Sequence, residues 1–511
     1  MFFRIVILLM VMALSCPLVS SAEPVSGDGE QQIWLIDDSP SFPGLRMIML
    51  HKKEGRYEGS VTSDWYGVLP LLDLHVNGQD ITFRLDNGNK AVSPTPVWHV
   101  NIHGTRAHIH GKIWYQNIDL DMRRGTGAEA SLRHFPLVSS PAFTPVPSAG
   151  LARTPPMGWS SWNRFGDKID DATIRQQADA LVSSGLRDFG YIYVNIDDGW
   201  QGNRDASGII HPNARFPDMK LLADYVHSKG LKLGLYSSPG PKTCAGYAGS
   251  YGHVEQDAKT YADWGVDYLK YDLCSGEAFY RDMDSIRRAY AQMGHALRAT
   301  GRPIVYSLCE YGREHVGQWG TSVGGQLWRT TGDIEDRYQS MAVNGFDKNG
   351  DPADVKAGSW NDPDMLEVGN GGMTDAEYRT HFSLWALSAA PLLTGNDITK
   401  LTEETKNILG NENVISIDQD ILAAPGQRLR RRGDIEIWRK TLADGVALGV
   451  FNRGHMMREV DLKDADYGIG HPRIITDLWS HQTLALKKRH FRVEGHGVVL
   501  LKIVSDHASA R

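Results

Sequence analysis

Cysteine is scarce in this sequence: there are four in 511 residues, and one of them, Cys16, lies near the start. So few exclude a disulfide-dense scaffold. The other three, Cys244, Cys274 and Cys309, have the wrong spacing for a zinc site and leave room for one disulfide and one free thiol. Positive charge is not in excess either. Lys and Arg total 54 against 61 Asp and Glu, a formal charge of -7, which gives no basic field for nucleic acid. Beyond the N-terminus no apolar run reaches the roughly 18 residues a membrane helix needs. The expected partner is a neutral small molecule or polymer.

The start of the chain reads as a secretory signal over Met1–Ala22. Arg4 supplies the positive charge, Ile5 to Leu14 the apolar stretch, and Ser20-Ser21-Ala22 the small-residue cleavage site. An exported, periplasmic or secreted protein follows. Ala13-Leu14-Ser15-Cys16 fits a lipoprotein attachment site less well, because Ala13 stands where such sites favour Leu.

Three regions follow. Residues 30–140 carry short alternating runs such as Leu71–Val76 and Ile81–Leu85. Asn77-Gly78, Asn87-Gly88 and His103-Gly104 punctuate them as turns, and a Pro-rich linker, Pro141 to Pro147, comes after. This predicts an N-terminal antiparallel β-domain, lipocalin-like or sandwich-like. Its His99, His103, His108 and His110 read as a solvated strand face, because no carboxylate or Cys stands near them at ligand spacing in the sequence.

Residues 150–418 change rhythm: about eight apolar runs recur every 25 to 40 residues or so, with helical patterns between them. The spacing predicts a (β/α)8 barrel. Nearly every run is apolar at its start and ends in Asp, Glu, Lys, Arg or Trp, and in this fold those ends converge on one mouth. Residues 420–506 return to β-runs and predict a C-terminal antiparallel β-sandwich. The cluster Arg428 to Arg432 at its first turn reads as a charged, solvated hairpin edge.

A mouth lined by carboxylates and tryptophans suits a sugar, since indoles stack on pyranose C–H faces and carboxylates accept from hydroxyls. Breaking a glycosidic bond needs two carboxyls flanking the anomeric carbon. Asp272, with Lys270 expected to hold it ionised, and Asp333 are one such pair. Position alone leaves Asp198, Glu310 and Asp364 as competitors.

LARTPPMGWSSWNRF, YVNIDDGWQ, RFPDMKLLADYVHSKGLKLGLYS, LKYDLC, LCEYG, WRTTGDI, GSWNDPDML and VISIDQD resemble, in order, the α-galactosidase family, glycoside hydrolase family 27. The resemblance covers about Leu151 to Asn452 and does not reach the N-terminal domain. It implies a retaining, cofactor-free and metal-free double displacement that releases terminal α-galactose from oligosaccharides or polysaccharide side chains. Asp272 matches the family's nucleophile and Asp333 its acid/base. Asp197 and Asp198 match the pair on the 4- and 6-hydroxyls, Lys270 a 3-/4-hydroxyl contact, and Glu310 and Arg329 the 2-/3-hydroxyl side. Trp162, Tyr236, Asp364 and Met365 match pocket-lining positions, and Cys244 and Cys274 a disulfide. Ser238 departs from the Asp found in lysosomal members. α-N-acetylgalactosaminidase and β-L-arabinopyranosidase are the alternatives on the same site. Glu310 argues against the first, because an acetamido group needs space where that carboxylate is expected to project.

Overall fold

The computed structural model describes residues 31–39, 42–86, 95–113, 116–468 and 472–505; the expected signal segment with Cys16, and the Asn87-Gly88 turn, lie outside them. Among the described residues no helix is long and apolar enough to cross a membrane.

The N-terminal domain is a closed barrel of eight antiparallel strands, from Gln32–Leu35 to Gln116–Arg124. The first and last strands pair through Trp34–Arg124 and Leu35–Arg123, which removes both sheet edges. Alternate residues fill the interior, among them Trp34, Leu50, Val61, Phe83, Trp98 and Ile109. Hairpins turn at Gly78 and Gly104, both with positive φ. The histidines do not stand apart from carboxylates: pairing with the last strand brings Asp119 and Asp121 to 2.7 and 2.9 Å from the His108 ring, while His99 and His110 stack. A sequence pass could not see this, since these partners come from the next strand.

The central domain is a parallel eight-stranded barrel. Its strands are β1 (Met157–Ser160), β2 (Tyr193–Asn195), β3 (Lys232–Ser237), β4 (Tyr268–Asp272), β5 (Val305–Cys309), β6 (Leu327–Arg329), β7 (Trp360–Asp362) and β8 (Leu392–Thr394). They pair in sequence, β8 returns to β1, and one bridge between Leu366 and Thr394 closes the ring. Helices start where short polar side chains cap them. Asp170 accepts from the Thr173 amide, Asp218 from Leu221, and Thr374 forms a reciprocal box with Glu377. The helix Met219–Ser228 stops ahead of Gly230, at φ 74°.

Strand period two decides what faces the barrel axis. On β4, Leu269 and Tyr271 pack outward against the helices, while Tyr268, Lys270 and Asp272 point inward. Tyr268 joins Tyr193, Val305, Leu327, Trp360 and Leu393 in an apolar plug at the barrel's lower end. The polar residues of the same inward rows lie above that plug, at the C-terminal mouth.

The C-terminal domain packs a six-stranded antiparallel sheet against a two-stranded one, Arg458–Asp461 with His490–Val493. The arginine edge is largely solvent-exposed, as expected, and its guanidinium groups also reach inward. Arg428 and Arg431 reach the fully buried Glu436, which Arg453 contacts at 2.9 Å while also pairing with Asp347 of the central domain. Arg430 pairs with Asp466. A buried carboxylate is costly unless compensated, and these guanidinium groups compensate it.

Candidate active site

A cavity of about 560 Å³ opens at the C-terminal mouth of the parallel barrel. Of the residues singled out from the sequence, Trp162, Asp197, Asp198, Tyr236, Lys270, Asp272, Arg329, Asp333, Asp364 and Met365 all line it. They come from the ends of β1, β2, β3, β4, β6 and the segment after β7, so the fold gathers residues spread over some 200 positions of sequence.

Asp272 is buried at the floor, with 4% of its surface accessible. Tyr236 donates to its Oδ2 at 3.1 Å, while its Oδ1 has no protein partner. Asp198 Oδ1 is likewise buried without a protein partner. Lys270 favours ionised Asp272 by its charge, as expected, but its ion pair is with Asp197, Nζ to Oδ2 2.9 Å. Burial consequently outweighs the lysine and raises Asp272 to about 6.

Asp333 has the opposite environment. Its side chain is 68% accessible at the rim, and Arg329 Nη2 reaches its Oδ1 at 3.0 Å. What burial it has raises its pKa, but Arg329 and then Lys270 outweigh this and hold the carboxyl below its ordinary value. Arg329 also pairs with Asp364 at 3.1 Å, and Asp364 in turn accepts from the Ile334 amide. Asp364 thus anchors the loop carrying Asp333 as well as lining the cavity. Asp362 is occupied locally, accepting from the Asp364 amide at 2.9 Å.

On the far side Asp197 accepts from Lys270, and its amide donates to Ser161 Oγ. Asp198 accepts from the Ala245 amide at 2.7 Å, and burial raises it to about 7. These two carboxylates and a lysine ammonium form a polar set in the same cavity as Asp272 and Asp333.

Glu310 does not join the site. It lies fully buried outside the cavity, with neither oxygen in a hydrogen bond of good geometry. Burial pushes its carboxyl well above the usual range, against the nearby amides of Gly312 and Arg313. Strand parity explains the correction. Val305 packs in the inward plug while Tyr306 and Leu308 pack outward, so Glu310 follows the outward row. Tyr311, at φ 62°, turns back into the cavity, with the Arg329 guanidinium 5.6 Å from its ring. Arg329, expected with Glu310 on the 2-/3-hydroxyl side, pairs with Asp333 and Asp364 instead.

Cys244 and Cys274 form a disulfide, Cα to Cα 5.0 Å, that joins the loop after β3 to the end of β4. Cys309 is free and buried. Ser238 is buried away from the cavity and accepts from the Gly240 amide. Trp159 is core, donating its indole N–H to the Asn396 carbonyl.

Several lining residues are not singled out by the sequence: Asn163, Arg164, Tyr311, Asp336, Glu367 and Asn370. Glu367 is the most consequential. It is 2% accessible, takes the Asn163 amide on one oxygen and that of Asn370 at 2.6 Å on the other, and burial raises it to about 7. Its place just past the NDPDML stretch was the available signal.

Comparison with known proteins agrees with this geometry. The family model "Alpha galactosidase A" matches residues 154–420, and "Alpha galactosidase C-terminal beta sandwich domain" matches 432–503. The α-galactosidase of Cyamopsis tetragonoloba is 48% identical over 344 residues, 66% of this chain and 82% of that protein. The crystal structure of α-galactosidase I from Mortierella vinacea is 35% identical with a TM-score of 0.67, covering 71% of this chain and all of its own. A candidate α-galactosidase from Bacteroides fragilis NCTC 9343 is 31% identical with a TM-score of 0.64, and covers 94% of this chain and 92% of its own. That last match extends through the N-terminal barrel. The three-domain architecture, the carboxylate-lined barrel mouth and these likenesses together show that the chain belongs to the α-galactosidases, glycoside hydrolase family 27.

Proposed function

We propose that this protein is an exported, retaining, exo-acting α-galactosidase that cleaves terminal non-reducing α-D-galactose by double displacement. Asp272 attacks the anomeric carbon and forms a galactosyl ester. Asp333 protonates the departing oxygen, then deprotonates the water that hydrolyses the ester. The observation that carries the reading is the contrast between the two carboxyls. Asp272 has one buried oxygen free toward the cavity, and Asp333 stands open at the rim where an aglycone leaves. Asp197, Asp198 and Lys270 supply acceptors and a donor for the hydroxyls of one sugar. NMR of the first-formed anomer tests it: α-galactose is expected, and initial β-galactose rejects retention.

The empty site places its proton on Asp272, raised to about 6, rather than on Asp333. Catalysis needs the reverse. Substrate supplies it, because hydroxyl groups donating to Asp272 favour its charge, while the sugar's displacement of water from Asp333 disfavours ionisation there. In the free enzyme the pair must hold one proton in total. Above about 6 both carboxyls ionise and the acid is lost; at lower pH both are protonated and the nucleophile is lost. The kcat/KM profile for a melibiose-like substrate is therefore bell-shaped, with an alkaline limb near pH 6. For Asp333→Ala and an aryl galactoside whose leaving group needs no proton, that limb should vanish. Its persistence would assign it to another group.

Discrimination at the 2-position passes from Glu310 to Tyr311. Tyr311 lines the cavity, favours the ionised form of Asp272 and packs under Arg329, filling space an acetamido group would need. Tyr311→Ala should raise the ratio of α-N-acetylgalactosaminide to α-galactoside kcat/KM by about tenfold, of the order of removing 1–2 kcal/mol of steric conflict. Glu310→Gln should leave that ratio within about twofold. If Glu310→Gln moves it and Tyr311→Ala does not, the assignment reverses.

A further inference from the structure

Nothing above gives the N-terminal barrel a task, yet its contacts converge on the active-site wall. The turn between its strands Arg56–Ser63 and Gly67–Asn77 carries Trp65, Tyr66 and Gly67. Trp65 is 3% accessible and braced edge-to-face by Phe42 at 4.7 Å. Its ring lies against Gly246, where a Cβ would come within 3.0 Å of the indole. Two residues on, Gly67 meets Phe279 so closely that a Cβ there would approach the phenyl ring to 2.8 Å. Phe279 is held from its other sides by Phe135, at 5.6 Å, and Tyr251, at 4.8 Å. Nearby, Arg281 donates to the Asp86 carboxylate and carbonyl at 2.7 and 2.8 Å.

The two loops touched are those the Cys244–Cys274 disulfide joins. Gly246, at φ 92°, closes a tight turn in which its amide donates to the Thr243 carbonyl at 3.0 Å. Inside that turn Cys244 lines the cavity and the Ala245 amide holds Asp198. A rigid aromatic placed behind a two-residue segment fixes where that amide points, because a glycine-containing turn otherwise keeps much of its backbone freedom.

We propose that the N-terminal barrel is a positioning domain for the galactoside pocket, with Trp65 as its positioning residue: it backs the Thr243–Gly249 turn and so keeps the Ala245 amide on Asp198. The inference rests on Asp198 being a sugar-binding carboxylate, as proposed above. Trp65 never touches substrate. Its effect falls on ground-state binding, while the Asp272 and Asp333 chemistry is left in place.

The test uses the full chain. Trp65→Ala should raise KM for an aryl α-galactoside, and the inhibition constant of free galactose, about tenfold. That is the scale of losing one hydrogen bond to a charged acceptor; kcat should stay within about threefold. Trp65→Phe, which keeps the contact with Phe42 but is shorter toward Gly246, should raise both about threefold, and it serves should the alanine variant fail to fold. Phe83→Leu is the control, since it loosens the same barrel's core far from this turn and should leave both constants within twofold. Unchanged constants in the Trp65 variants would overturn the proposal, as would equal rises in the Phe83→Leu control. If the wild-type protein does not cleave an α-galactoside, the functional reading fails instead. The positioning claim is then judged by the same variants on whichever aryl glycoside is cleaved.

Discussion

Replacing Asp272 with glycine should lower kcat for an α-galactoside by about 10⁵-fold or more, the scale on which loss of a covalent nucleophile is felt. The residue lies at the end of a central strand, shares its inward face with Lys270 and Tyr268, and has Oδ1 free of protein partners. Asp198 shares a buried oxygen without a protein partner, its Oδ1, but its other oxygen is held by the Ala245 amide. Asp197 is tied to Lys270, Asp364 to Arg329 and Ile334, and Glu367 to two asparagines. The glycine variant leaves a space that azide can enter. Under the proposed double displacement, azide attacks from the face opposite the departing aglycone, so the rescued product is β-galactosyl azide. In Asp333→Ala the ester on Asp272 still forms, azide intercepts it, and the product is α-galactosyl azide. Product anomers identified by NMR decide the matter. An α-azide from the glycine variant, or residual kcat above about 1%, would remove Asp272 from the nucleophile's role.

The second large effect concerns the disulfide. Cys244 and Cys274 are 30 residues apart, and in the chain-entropy model opening such a loop costs about 3–4 kcal/mol. The double substitution Cys244→Ser, Cys274→Ser should lower the midpoint of urea unfolding accordingly, followed by loss of activity because a three-domain chain does not unfold in one step. Catalysis should suffer as well. Cys274 Sγ lies 3.1 Å from the Tyr236 hydroxyl that donates to Asp272, and Cys244 lines the cavity. Thiol titration of the unfolded, unreduced protein lacking residues 1–22 should find one thiol, Cys309. Three thiols would show that the bridge does not form.

Where the sequence was misread, parity and tertiary contact account for the difference. Glu310 looked like a strand-end carboxylate, and it is one. Counting twos back through Leu308 and Tyr306 would have put it on the helix-facing row, and only the left-handed turn at Tyr311 shows what replaces it. Lys270 stands in the mouth and favours ionised Asp272 by its charge, while its ion pair goes elsewhere. Its ammonium can reach Asp272 on its own strand or Asp197 two strands away, and packing around the cavity selects the latter. Glu367 and Asn163 contact each other from opposite ends of the catalytic domain, which no local pattern discloses.

What the sequence determined by itself was the set of elements and their polarity. Eight apolar runs with polar ends, separated by helices with Asp and Thr caps, admit little besides a parallel barrel with its chemistry at one mouth. Periodicity carries that information because burial acts on each residue's own face. The tertiary structure alone decided which mouth residues pair, how far burial shifts Asp272 and Asp198, and that the N-terminal barrel meets the pocket wall through Trp65 and Gly67. Those depend on distances between segments distant in the chain, and on the low-dielectric surroundings that only the packed whole creates.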